Sequence, residues 1–304
     1  MQKKLASMMG LAAVASLALA ACGSGDTGSD GSAAPESPEN GDKAALNIGV
    51  MAGWDEGVAV SNLWKQILDK KGYDVELTDA DAAPVFSGVA SGDLDLTMDV
   101  WMPLTHKDYL EKYGDKMTKL GTWYDDAKLT IAVNEDAPID SLDQLAKNAD
   151  KFGNTIYGID PGAGLTKATQ ENAIPDYGLE KMDFKTSSTP AMLSQLKKAT
   201  KAGDDIVVTL WRPHWAYDEF PIKDLKDPKG AMGKAETITS YGNKDFEENY
   251  PGLTEWLNDF KIDDEKLFSL ENAMFNDTDT DDYAPIVDKW ISENQEYVDS
   301  LTEK

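Results

Sequence analysis

Cysteine is all but missing from this chain: Cys22 is the single one among 304 residues. An intrachain disulfide, a thiolate metal cluster and a catalytic thiol in a processed chain are therefore excluded. Histidine is nearly as scarce, with His106 and His214 alone, and two histidines without cysteine give no basis for a zinc site. Basic residues are outnumbered, 29 Lys and Arg against 55 Asp and Glu, for a formal charge of -26. That charge repels polyanions, so nucleic acid is excluded as a partner, while a net-neutral zwitterion is left almost indifferent. Most of these carboxylates read as a solvated surface. Neither GxSxG nor HExxH occurs, so the sequence offers no nucleophile with its base and no metalloprotease helix. The expectation is a protein that is not an enzyme and carries no cofactor.

The apolar run from Leu5 to Ala21 follows Lys3 and Lys4 and falls short of the roughly 20 residues of a membrane span. Residues 1–21 read as a secretory signal. The run ends Leu19-Ala20-Ala21-Cys22, which resembles the lipobox of bacterial lipoproteins; that resemblance implies lipidation of Cys22 and an anchor on the extracytoplasmic face of the cell membrane. From Gly23 to about Lys43 there is hardly an apolar side chain. Such a stretch buries too little surface to offset its ordering entropy, so residues 22–44 read as a lipidated cysteine and a flexible tether.

What remains, roughly 260 residues, suffices for two ordinary domains. Leu46 to Met51 reads as a strand, Val58 to Lys70 as a helix, Tyr73 to Leu77 as a strand, Ala83 to Ser91 as a helix and Leu94 to Val100 as a strand. The same order recurs in Thr155 to Ile159, Leu165 to Asn172, Phe184 to Thr186, Ala191 to Ala199 and Asp205 to Leu210. Strands alternating with helices predict α/β lobes, each a mainly parallel sheet flanked by helices, with functional groups beyond the carboxyl ends of the strands. Lys128 to Val133 and Glu236 to Ser240 read as crossing strands, and the tail from Asn243 as helices returning to the first lobe. The expected division is residues 45–128 plus 242–304 as lobe 1 and 129–241 as lobe 2, with the ligand in the cleft between them.

Asp99-Val100-Trp101-Met102-Pro103 and Thr209-Leu210-Trp211-Arg212-Pro213 put Trp-x-Pro after equivalent strands. Trp54 likewise follows the first strand. These three of eight tryptophans fall on loops expected to face the cleft, whereas Trp64, Trp256 and Trp290 fall in helices and read as core. Indole faces attract a cation that donates no hydrogen bonds, such as a trimethylammonium group, at roughly 0.5–2 kcal/mol per face. Gly162-Ala163-Gly164-Leu165 stands at a strand-to-helix junction where free N–H groups favour an anion such as a carboxylate. Either His106 or His214, each beside a Trp-x-Pro loop, could donate to that carboxylate. The acidic run Asp277 to Asp282 alternates like a calcium loop, but its sixth position is Asp282 where glycine is wanted and its twelfth is Asp288. It reads as a helix-capping turn instead.

Gly53-Trp54-Asp55-Glu56-Gly57, Trp101-Met102-Pro103-Leu104-Thr105-His106, Ile159-Asp160-Pro161-Gly162-Ala163-Gly164 and Trp211-Arg212-Pro213-His214-Trp215 together resemble the glycine betaine/proline betaine substrate-binding family, across residues 45–300. The resemblance implies a two-lobed, type II periplasmic-binding-protein-like fold. It implies an ammonium cage of Trp54, Trp101 and Trp211, and a carboxylate held by the amides of Gly164 and Leu165 and by His106, leaving His214 a structural role. It further implies a monomeric binder serving an ABC permease and its ATPase in osmoprotection. Choline, carnitine, ectoine and proline betaine share features with glycine betaine, but choline has no carboxylate for Gly164, Leu165 and His106 to hold.

Overall fold

The computed structural model describes residues 38–276 and 280–303. The signal, Cys22, most of the tether and part of the acidic run lie outside them. Among the described residues no helix is long and apolar enough to cross a membrane.

Among the described residues nine strands form the sheet: β1 (Ala45–Met51), β2 (Asp74–Ala80), β3 (Leu96–Met102), β4 (Met117–Asn134), β5 (Thr155–Gly158), β6 (Asp183–Thr186), β7 (Val207–Arg212), β8 (Ile222–Asp224) and β9 (Glu236–Asn243). Their order is β2-β1-β3-β9-β4-β7-β5-β6, with β8 pairing to β4 off that path. β1 runs parallel to β2 and β3, and β5 runs parallel to β6 and β7. The two halves therefore repeat one arrangement, a central first strand flanked by the second and the third. Each parallel trio is completed by antiparallel strands, β9 beside β3 and β4 beside β7.

The apolar runs explain the trios. Leu46, Ile48 and Val50 on β1, Leu96, Met98 and Val100 on β3, and Val207, Val208 and Leu210 on β7 are all buried, as strands covered by helices on both faces must be. The helix Asp55–Asp69 buries Ala59, Val60, Leu63, Trp64 and Ile67. It is covered in turn by the helices Asp264–Glu271 and Ala284–Glu293 of the returning tail. Burying Leu63 and Ile67 contributes roughly 1.5–3 kcal/mol each.

β4 is the long strand of the molecule. Its first half pairs with β9 from Met117 to Ala127, and its second half pairs with β7 from Lys128 to Val133. One strand thus carries the chain from one half to the other. The sequence signal marks only the second half, because three register shifts break the alternation between Lys119 and Ala127; bulges of this kind erase a period-two pattern.

Candidate functional site

Three indoles meet in one small cavity, lined by Trp54, Glu56, Trp101, Thr105, His106, Leu129, Ile159, Ala163, Gly164, Leu165 and Trp211. All six residues expected at the site, Trp54, Trp101, Trp211, Gly164, Leu165 and His106, are among them. Their placement differs from the expectation in one respect. Trp101 and Trp211 are strand residues, opposite Ile238 on β9 and Leu129 on β4, rather than loop residues beyond the strands. Pairing with β9 and β4 extends β3 and β7 by two residues past the apolar run, to Met102 and Arg212. Both tryptophans are only 3% exposed, so they are part of the core as well as walls of the cavity. Trp54 caps the helix Asp55–Asp69 and is 6% exposed.

Each indole N–H is held by a carboxylate. Trp54 Nε1 donates to Asp160 Oδ2 at 3.3 Å. Trp101 Nε1 donates to Asp99 Oδ1 at 2.7 Å and to Glu56 Oε1 at 3.1 Å, and Trp211 Nε1 donates to Glu56 Oε2 at 2.7 Å. A buried indole N–H needs such a partner, and satisfying it inside the protein leaves the apolar part of each ring to line the cavity. Asp99 fits beside the helix because residue 57 is glycine: a Cβ there would come within 2.7 Å of Asp99 Oδ2. Burial pushes the Asp99 carboxyl up to about 7, the bond from Trp101 opposing it. Burial, and then Asp99 and Glu271, push Glu56 well above the usual range, opposed by Trp211.

The two histidines separate clearly. His106 lies on the cavity, stacked on Trp54 at 5.2 Å and 9° and wedged edge-on against Phe86 at 5.2 Å. Its Nδ1 accepts from the Trp101 backbone N–H at 2.9 Å, so the ring proton sits on Nε2. That Nε2 is buried and has no hydrogen-bond partner among the described residues. Desolvation drives the His106 pKa down to about 3, which keeps the ring neutral. The result is a neutral, single donor at the cavity wall. His214 is off the cavity: its Nδ1 accepts from Ala216 N–H at 3.1 Å, its Nε2 stands 3.6 Å from Asp55 Oδ2, and its ring packs edge-on against Trp211 at 4.5 Å.

The loop bearing His106 is fixed by Glu236, whose carboxylate accepts from Leu104 N–H at 2.7 Å, Thr105 N–H at 2.9 Å and Thr105 Oγ1 at 2.5 Å. Opposite it, the helix starting at Gly164 comes so close that a Cβ on Gly164 would lie 2.1 Å from the Thr105 carbonyl oxygen. The first intrahelical bond there runs from Lys167 N–H to Ala163 O, so the N–H groups of Gly164 and Leu165 precede the helical ladder. Further bonds join the two sides: Tyr109 Oη donates to Gly162 O at 3.0 Å, Trp215 Nε1 donates to Asp55 Oδ2 at 2.6 Å, and Lys167 pairs with Asp108. A soft cation can thus meet three aromatic faces while an anionic group meets N–H donors of the same cavity.

Residues 44–293 match the family of substrate-binding domains of ABC-type glycine betaine transport systems. The chain belongs to this family. A glycine betaine/carnitine transport binding protein of Listeria monocytogenes is 38% identical over 169 residues, a match covering 55% of this chain and 54% of that protein. The chain thus spans about half the length of this curated relative. Lactococcal OpuAC in its closed, glycine betaine-bound form has 31% identity and a TM-score of 0.78, covering 86% of this chain and 100% of that one. The glycine betaine/L-proline-binding protein of Borrelia burgdorferi has 30% identity and a TM-score of 0.79, covering 85% and 96%. The fold is that of the two-lobed, type II binding proteins.

The sequence marks the indoles and the glycine turn; Glu56, Thr105, Ile159 and Ala163 stand inside the quoted motifs without a role of their own, and Leu129 stands only in a crossing strand. Glu56 is one of 55 acidic residues, and nothing in an acid-rich composition marks the one that is buried. Its only signal was position, at the start of a helix directly after a tryptophan and an aspartate.

Proposed function

We propose that this protein is the solute receptor of an ABC importer, capturing glycine betaine or a closely related quaternary-ammonium solute for osmoprotection. The observation that carries the reading is one cavity in which three carboxylate-anchored indoles stand with a neutral, unpartnered histidine N–H and the amides of a helix start. In this reading Trp54, Trp101 and Trp211 enclose the trimethylammonium head. Three faces at roughly 0.5–2 kcal/mol each supply a useful part of the approximately -8 kcal/mol of micromolar binding. Gly164 N–H, Leu165 N–H and His106 Nε2–H hold the carboxylate, while His214 braces Trp211. The name of the Listeria relative joins carnitine to glycine betaine, so both belong in any ligand panel.

The division into 45–128 plus 242–304 and 129–241 is retained with one refinement. Because β9 pairs with β3 and the first half of β4, we place it with the first lobe and put the second crossing near residue 236. The membrane enters through a lipid on Cys22 after removal of residues 1–21, and the partners are a permease and its ATPase, since a tethered binder moves nothing by itself. Globomycin-sensitive processing and palmitate labelling that is lost in Cys22→Ala test the anchor; an unlabelled wild-type chain would refute it. Calorimetric titration with glycine betaine, proline betaine, carnitine, ectoine and choline tests the ligand, and a panel without binding would reject the receptor reading.

A further inference from the structure

Around the cavity, Glu56 alone gives both carboxylate oxygens to indoles. Its Oε1 accepts from Trp101 at 3.1 Å and its Oε2 from Trp211 at 2.7 Å, and it is 1% exposed. Trp101 is on β3 and Trp211 on β7, and the pair β9–β4 separates those strands in the sheet. Asp160, Asp55 and Asp99, by contrast, serve one indole each, Trp54, Trp215 and Trp101, the last at 2.7 Å beside its longer bond to Glu56.

We propose that Glu56 is the positioning residue of the cage: one carboxylate sets two indole walls against each other and ties the strands that carry them, so that ligand affinity depends on Glu56 through Trp101 and Trp211. The proposal rests on the cage reading above and adds to it the device that holds the cage in shape. An indole N–H only donates, so two of them reaching opposite ends of one side chain need an acceptor oxygen at each end, which a carboxylate supplies and a glutamine amide, with its NH2 at one end, does not. This requirement explains an acid in a place where burial and the neighbouring Asp99 and Glu271 disfavour its charge. Asp99 adds a second hold on one of the walls, its Oδ1 taking the Trp101 N–H at 2.7 Å while its Oδ2 has no hydrogen-bond partner among the described residues.

The test is Glu56→Gln in the full chain with 15N-labelled tryptophan. Of the eight indole signals, those of Trp101 and Trp211, assigned through Trp101→Phe and Trp211→Phe, move, while those of Trp64, Trp256 and Trp290 stay. Glycine betaine affinity falls at least tenfold, or about 1.4 kcal/mol, and the loss shrinks in a Trp211→Phe background because one of the two bonds is already gone. Affinity within threefold of the parent, or an undiminished loss in the Trp211→Phe background, overturns the proposal. Should Glu56→Gln fail to fold, Glu56→Asp takes its place: one methylene shorter, it reaches a single indole and moves one of the two signals. If the parent itself binds no glycine betaine, the ligand reading falls, whereas unmoved Trp101 and Trp211 signals in the variant overturn the positioning role by themselves.

Discussion

His106 offers two nitrogens with two different tasks, and a pair of substitutions separates them. Asparagine places its amide oxygen near the position of Nδ1, so His106→Asn keeps the acceptor for the Trp101 N–H, bonded at 2.9 Å, and deletes the Nε2 donor. A hydrogen bond to a charged group is worth about 1.5–3 kcal/mol. Loss of the Nε2–H bond to a ligand carboxylate therefore weakens glycine betaine about 10- to 150-fold. The substitution also removes the ring stacked on Trp54, but that loss falls on every quaternary ammonium alike. Choline serves as the internal control because it has no carboxylate, and the quantity to read is the change in the betaine-to-choline affinity ratio. His106→Gln does the reverse. Its amide nitrogen approximates Nε2, while the buried Trp101 N–H loses its acceptor at a cost of about 1–3 kcal/mol in stability, or about 2–4 °C of Tm per kcal/mol in a domain of this size. The assay is calorimetric titration of both ligands beside thermal melts of both variants. An unchanged betaine-to-choline ratio in His106→Asn would refute the assignment of Nε2 to the carboxylate.

Trp101→Ala and Trp211→Ala lose most glycine betaine affinity and also about 3–5 kcal/mol of stability, since both side chains are 3% exposed; titrations and melts of each show both losses together. Trp290→Ala, which also removes a bond from Nε1 to Ser269 Oγ, lowers Tm by a similar amount but leaves the affinity of the folded protein within threefold. Gly164→Ala weakens glycine betaine at least tenfold, because its methyl cannot share space with the Thr105 carbonyl; unaltered binding by titration would contradict that close approach. Asp55 titrates near 7 in the folded protein because it is buried, against an ordinary value of 3.8. Its folded pKa is raised, so its contribution to stability is fully present below about 4 and lost as pH rises through about 7. Asp55→Asn keeps an oxygen for Trp215 and therefore reduces the fall in Tm between pH 5 and pH 8, read by calorimetric melts. His106, held near 3, contributes no transition near 6.5 to the pH dependence of binding.

The repeated strand-helix order was legible because buried parallel strands are continuous apolar runs, as in Leu46 to Met51 and Val207 to Leu210. The first half of β4 was not, since its bulges scramble the alternation between Lys119 and Ala127. Trp101 and Trp211 stood out because Trp-x-Pro recurs after equivalent strands. Their place inside the strands did not, because pairing with β9 and β4 is a long-range fact that local pattern cannot carry. The choice between His106 and His214 turned on family resemblance at the level of sequence. In the structure the His106 ring borders the cavity, and the His214 ring faces Asp55. Glu56 stayed hidden for a related reason: burial, not residue type, distinguishes it from the surface carboxylates.

The central claim is that one cavity reads both ends of a betaine. Calorimetric titration of the purified protein with glycine betaine and choline tests it most directly. The account predicts saturable binding of glycine betaine at one site, with choline at least tenfold weaker, a gap of about 1.4 kcal/mol. Choline binding as tight as glycine betaine, or no binding of either, would contradict it.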